Sequence, residues 1–308
     1  MISSMISSMV NPFDSAISRY FTQLDPVANA YYELATPITL TGDFEIDYAT
    51  TSAAAMNFTD TLGVNSSGVI QSDNATDVEV NGVSVGLGAT LPLDGKLNHI
   101  NFVGLTAVDI TVFGRSGAAT NYFDGIPSDV KITDKSGVED VTTTFALDSG
   151  KGVSVEYSLE GNNSLTRINV ADEDIGLYTK TDNGWLGQER AHQLLADWPI
   201  KNGAVTQTGI GVFDINYSGA FTNILRDSNM FNLGDTVQWS FNVSNYNSGG
   251  GDLFIGNTGV SNFNSDGVYS GVNTATVTDG RFAYLSATMD LTLSSLSAKR
   301  LIPIATQV

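Results

Sequence analysis

A chain of 308 residues, 42% of them apolar and 9% aromatic, carries enough material for about two hydrophobic cores. Its 14 Lys and Arg against 33 Asp and Glu leave a net charge of −19, a surface that repels phosphate backbones and argues against nucleic acid as a partner. The absence of Cys and the presence of only two His, His99 and His192, exclude disulfides, thiolate metal sites, cysteine nucleophiles and His-rich zinc sites.

Gly is abundant at 31 residues and Pro scarce at 7, which favours many short strands joined by turns. The first residues, MISSMISSMVNPFDSAI, lack the basic start and continuous apolar centre of a signal peptide, and no run of about 18 apolar residues occurs, so neither classical secretion nor membrane insertion is expected. Residues 1–26 read as an N-terminal arm, with Phe13, Ile17, Tyr20, Phe21 and Leu24 at roughly helical spacing and Pro26 as the stop. Such an apolar face must be covered, either by the chain's own body or by a neighbouring subunit.

From residue 27 to 134 short alternating segments, among them YYELATPITL, DFEIDYAT, DVEVNGVSVGL, HINFVGL and VDITVFG, predict an all-β sandwich. In DFEIDYA the residues Phe44, Ile46 and Tyr48 alternate inward, so Asp43, Glu45 and Asp47 share the outer face. Two carboxylates about 6.5 to 7 Å apart on one strand suit the spacing of a glycan-cleaving pair, which is about 5 to 5.5 Å in retaining and 6.5 to 9.5 Å in inverting enzymes.

The order GDFEIDY, VEVNGV, LDGKLNHINFVG, ITVFGR and YFDGIPSDVKITD resembles the laminin-G or concanavalin-like jelly roll over about 100 residues. In that family the residue aligned with His99 packs structurally. Concanavalin-like glycosidases carry E-x-D-x-x-E or E-x-D-x-E on one strand, whereas Asp47 is followed by Tyr48, Ala49, Thr50 and Thr51. The second Glu is missing, so Glu45 and Asp47 are read as the wet face of a strand and no catalytic residue is assigned.

Residues 135–199 are expected to form a β-rich connector that ends in a short helix, GWLGQERAHQLLADWP, with Leu186, Ala191, Leu194, Leu195 and Trp198 near one face and Pro199 beyond. His192 sits on its flank without a chemical role. The LDSGKG turn and terminal GWLG resemble segments that follow laminin-G-type modules in virion proteins of tailed bacteriophages. Residues 200–308 return to strands, and TVQWSFNV and DLTLSSLSAKR are similar to strands of carbohydrate-binding jelly-roll modules. Alternation turns Val237, Trp239, Phe241 and Val243 to one face, the core.

Sugar recognition needs an aromatic ring beside amide or carboxylate groups. Tyr246 in SNYNSGGG and Tyr269 in DGVYSG lie among Asn, Ser and Gly and are the candidate ligand-binding residues, with the shielding of a loop base as the plainer role. Asp73, Asp77, Asp172, Glu173, Asp174 and Asp266 offer oxygen ligands in turns, but none has EF-hand spacing. No cofactor is expected, and the resemblance allows a calcium ion without naming its ligands.

The expectation is therefore an all-β protein of two jelly-roll sandwiches in tandem, with a short arm and one short connecting helix. The resemblance implies a non-enzymatic component of a phage virion surface, made in the host cytoplasm. It would be a tail fibre or spike that is homo-oligomeric and trimeric on the family's pattern, joined to other virion proteins by its arm and binding host-surface glycans. The alternatives are a capsid decoration or head-fibre protein, a polysaccharide depolymerase, and a bacterial lectin-like adhesin.

Overall fold

In a computed structural model of the chain the described residues are 18–305, without 73, 202–203, 219–222, 257 and 285–287. Their regular structure is strand, apart from two short 3₁₀ turns, Asp172–Asp174 and Leu195–Asp197. The all-β reading holds; of the arm, residues 1–17 lie outside the described residues.

The first large sheet is built on the 19-residue strand Tyr31–Ala49, flanked by Asn98–Phe113 on one side and Ile126–Asp134 on the other. Val141–Phe145 extends it beyond Ile126–Asp134, and Asp77–Val80 and Val83–Ser84 extend it beyond Asn98–Phe113. Every pairing in this order is antiparallel. Successive side chains of a strand point to opposite faces, so Phe44, Ile46 and Tyr48 enter the core, where all three are buried. They meet Phe58, Phe102, Phe113, Phe123 and Phe145, and a small sheet of Met56–Asn57, Gly63–Val64 and Ile70–Gln71 contributes Met56, Val64 and Ile70 to the same core. Burying one such ring stabilises by roughly 1.5 to 3 kcal/mol.

The second large sheet is built on the 16-residue strand Thr288–Pro303, which pairs with Gly184–Glu189, Val212–Ser218 and Thr236–Ser248 along different parts of its length. A five-stranded sheet in the order Ile200–Lys201, Asn223–Asp227, Gly280–Tyr284, Gly251–Ile255 and Thr258–Phe263 packs against it. Val237, Trp239, Phe241 and Val243 fill the space between, as their alternation predicts, against Leu225, Leu253, Ile255 and Phe282.

Two expected helical segments are strands. Ser18–Thr22, part of the arm, pairs antiparallel with Ile175–Thr181, and its Phe21 is buried against Tyr178 and Trp185 of the chain's own body. A helix this short is marginal in water, and the aromatic and β-branched residues of Ser-Arg-Tyr-Phe-Thr suit a strand that completes a sheet. The helix expected in 184–199 is replaced by Gly184–Glu189, which turns back on Ile175–Thr181 through the two-residue loop Asp182 and Asn183. Its remainder holds only the Leu195–Asp197 turn, which carries Trp198 into the second core.

The residues read as a connector are thus shared out. Val141–Phe145 and Ser164–Ile168 join the first sheet, whereas Ile175–Thr181 and Gly184–Glu189 join the second, together with Ser18–Thr22 from before the first. A third, small apolar cluster of Phe21, Ala49, Ile126, Tyr178, Trp185 and Ile302 lies where the two assemblies meet. Backbone hydrogen bonds from Leu97 N–H to Pro303 O and from Ala305 N–H to Leu97 O, 2.6 and 3.0 Å, tie the same joint.

Candidate functional site

The antiparallel register places Asp47 opposite His99, and Glu45 between Asn101 on one neighbouring strand and Lys131 on the other. His99 Nδ1 lies 2.7 Å from Asp47 Oδ1 and His99 Nε2 3.5 Å from Glu45 Oε2, while Lys131 Nζ donates to Glu45 Oε1 at 2.7 Å. The hydrogen bonds to Asp47 and Glu45 outweigh burial and raise the His99 pKa to about 9. The bond from His99, helped by Lys131, lowers that of Glu45 to about 2 despite partial burial. At neutral pH an imidazolium therefore bridges two carboxylates.

A glycosidase acid needs the opposite shift, a carboxyl held protonated near the operating pH. Glu45 is held ionised well below neutral pH, and its charge is engaged by two cations. Lys135 Nζ to Asp43 Oδ2 at 2.6 Å and Asn101 Nδ2 to Glu79 Oε2 at 3.1 Å continue the pattern over this face. His99, which the family resemblance would pack structurally, stands partly exposed at the centre of this network.

Tyr246 and Tyr269 both stand in strands, Thr236–Ser248 and Gly267–Thr274, and not in loops. Each ring is partly buried against the second core; Tyr269 stacks on Phe241 at 5.2 Å between centroids. Their hydroxyls donate to backbone carbonyls, Tyr246 to Gly249 O at 2.6 Å and Tyr269 to Ser265 O at 3.0 Å. The flanking Asn, Ser and Gly suggest loops, yet an outer strand face needs no apolar residues. The structure does not bring the two hydroxyls to a shared partner: Asp266 accepts from the Tyr246 backbone N–H at 2.8 Å.

The other acidic turns cap backbone. Asp77 accepts from Val78 N–H, Asp172 from Gly152 N–H and Asp174 from Ala171 N–H, at 2.8, 2.8 and 3.2 Å. Asp73 and the Glu173 side chain lie outside the described residues. Among the described residues no group of three or more His, Cys, Asp or Glu is placed to hold a metal ion.

What sequence reasoning missed is a cleft of about 880 Å³ where the two assemblies meet. One wall carries Thr50, Thr51, Ser52 and Asp124, the other Asn232, Thr236, Thr274 and Thr276, and Asp25 and Asp174 also line it. At its base the buried Asp235 accepts from Arg190 Nη1 at 2.7 Å, Arg300 Nε at 2.9 Å and the Asn232 N–H at 3.0 Å, and Arg300 Nη2 donates to Gln23 Oε1 at 3.0 Å. Gly234 lets the walls touch: a Cβ on it would lie 2.9 Å from Thr51 Oγ1. The lining mixes hydroxyl, amide, guanidinium and carboxylate groups with the aliphatic side chains of Leu24, Ile126, Leu233, Leu301 and Ile302, without an aromatic ring, and its size matches that of small-ligand clefts.

No family model matches the chain, and no curated protein or solved structure matches it. The laminin-G and carbohydrate-binding resemblances therefore rest on the short motifs that suggest them. Among the described residues no helix is long and apolar enough to cross a membrane.

Proposed function

We propose that the chain is a non-enzymatic structural protein of a tailed-phage virion, a fibre or spike component that binds host-surface glycan in the cleft between its two assemblies. The observation that carries the binding part is the polar share of that cleft's lining, hydroxyls, amides and carboxylates around about 880 Å³, which supplies the hydrogen-bonding part of sugar recognition, with aliphatic Leu24, Ile126, Leu233 and Ile302 in place of an aromatic face. The phage part rests on the resemblance of the laminin-G-like and GWLG segments. Absence of catalysis is supported by the engagement of Glu45 with Lys131 and His99, which holds its carboxyl well below the usual range where an acid is needed, and by the pairing of Asp47 with His99.

The test is a glycan array with purified protein, with calcium and with chelator, beside an assay of reducing ends released from host polysaccharide. Saturable binding without release, lost in Asn232→Ala with Thr236→Ala, supports the reading, and loss with chelator would add a calcium ion. Binding insensitive to those substitutions moves the site elsewhere. No binding in either condition favours capsid decoration, and sugar release abolished by Glu45→Gln would establish a depolymerase.

A further inference from the structure

The strand Gly267–Thr274 is an edge: it pairs only with Thr236–Ser248, and its eight residues make it the longest single-neighbour strand among the described residues. No other described backbone group hydrogen-bonds to its outer side. Its inner side chains are fixed, with Tyr269 on Phe241 and Asn273 Oδ1 accepting from Trp239 Nε1 at 2.8 Å. Gly271 leaves the space in which the Trp239 ring lies; a Cβ there would come within 2.7 Å of it. The outer side chains are Val268, Ser270, Val272 and Thr274, all exposed, with Val268 at 77% and Val272 at 49%.

Soluble proteins blunt such edges with Lys, Pro, bulges or short length, because a row of free N–H and C=O groups is a template for another strand. GVYSGVNT has none of these, and in a chain of net charge −19 it has no charged residue at all. We propose that this edge pairs with the same edge of a second copy, antiparallel about a two-fold axis at Ser270, to make a dimer with one continuous sheet. The axis sets Val268 of each copy against Val272 of the other, two apolar cross-strand pairs on the exposed face, with Ser270 facing its own counterpart. Like-charged copies approach most cheaply at their uncharged edge, so association strengthens with salt, the reverse of an interface held by ion pairs. The inference does not depend on what the cleft binds.

The chain has no cysteine, so Ser270→Cys introduces a single thiol. Directly opposed residues of an antiparallel pair have Cα atoms about 4.5 to 5.5 Å apart, within disulfide reach. Under mild oxidation Ser270→Cys is expected to give a covalent dimer in high yield, whereas Val138→Cys, fully exposed on the first assembly, gives little. Sedimentation equilibrium of the unaltered chain is expected to show a monomer–dimer equilibrium that shifts toward dimer between about 50 mM and about 500 mM NaCl, as the Debye length falls about threefold. Ser270→Lys places two like charges at the axis and should abolish the dimer while leaving the circular dichroism of the chain unchanged. A chain monomeric at high salt, a trimer, a dimer that survives Ser270→Lys, or equal cross-linking of the two thiol variants would overturn it.

Discussion

The outer faces of the two large sheets differ in how they meet water. On the first, unlike charges are tied across three strands, Asp43 to Lys135, Glu45 to Lys131 and His99, and Asp47 to His99. On the second, Ser240 and Asn242 of Thr236–Ser248 lie beside Ser270 and Val268 of the edge strand, and this patch carries no charge. A one-residue slip turns every side chain of a strand to the other face. On the first sheet such a slip would break ion pairs as well as bury carboxylates; on the second the core side, Val237, Trp239, Phe241 and Val243, holds the register together with outer-face hydrogen bonds such as Asn242 Nδ2 to Ser294 Oγ at 3.2 Å. Charge specifies the interior of one sheet, and its absence leaves the border of the other open to a partner.

The sharpest way to break that contrast is to remove a charge that the first assembly has buried. Glu156 and Arg167 form an ion pair with both side chains nearly inaccessible; Ser149 Oγ donates to Glu156 at 2.6 Å, and Arg167 Nη1 donates to the carbonyls of Gly150 and Val153 at 3.1 and 2.9 Å. Glu156→Ala leaves the guanidinium buried beside its carbonyls without a counter-charge, a loss expected to cost about 3 to 5 kcal/mol. Urea unfolding measures it. A loss below about 1 kcal/mol would mean that the charges of this assembly decorate it and do not organise it.

A smaller effect should appear with pH. His99 has a folded pKa of about 9 against an ordinary 6.5, so its stabilisation is complete below about 6.5 and is lost as pH rises through 9. Glu45, at about 2 against 4.5, stabilises above about 4.5 and ceases to as pH falls through 2. The network is at full strength between those limits. Because the two shifts share one set of contacts and the groups are partly exposed, the alkaline loss is expected to be about 1 to 2 kcal/mol. Thermal melts at pH 6 and pH 9.5 should differ by that amount in the unaltered chain and by much less in His99→Gln; equal differences in both would remove His99 from the account.

Legibility follows the same division. Period-two alternation announces Phe44, Ile46 and Tyr48, and Val237 through Val243, because a strand with one buried face must alternate. It also puts Glu45 and Asp47 together on the outer face, but not the His99 and Lys131 that engage them, since cross-strand partners depend on register between distant segments. Residues 184–199 look helical because Leu186, Ala191, Leu194 and Leu195 happen to fall at helical intervals; the Asp182-Asn183 turn that closes the hairpin with Ile175–Thr181 and the pairing of Gly184–Glu189 with Thr288–Pro303 outweigh them. The cleft is invisible in the sequence, because its walls come from segments near 50, 124, 234 and 275 that only the folded joint brings together.

The smallest expected change tests the uncharged face itself. Ser240 stands mid-strand, opposite Ser270 on one side and Ser297 on the other, with its side chain half-buried on the outer surface. If Ser240 adds nothing to the core packing and to the outer Asn242–Ser294 hydrogen bond that hold this strand, Ser240→Ala changes stability by no more than about 0.5 kcal/mol, the range of surface substitutions that touch no special feature. Paired measurement with Lys131→Ala on the first sheet, where an ion pair worth up to about 1 kcal/mol is removed, gives the contrast its scale. Were Ser240→Ala the more damaging of the two, the serines of adjacent strands would be a structural ladder in their own right, and the edge at Ser270 would be continuing that ladder into the second copy.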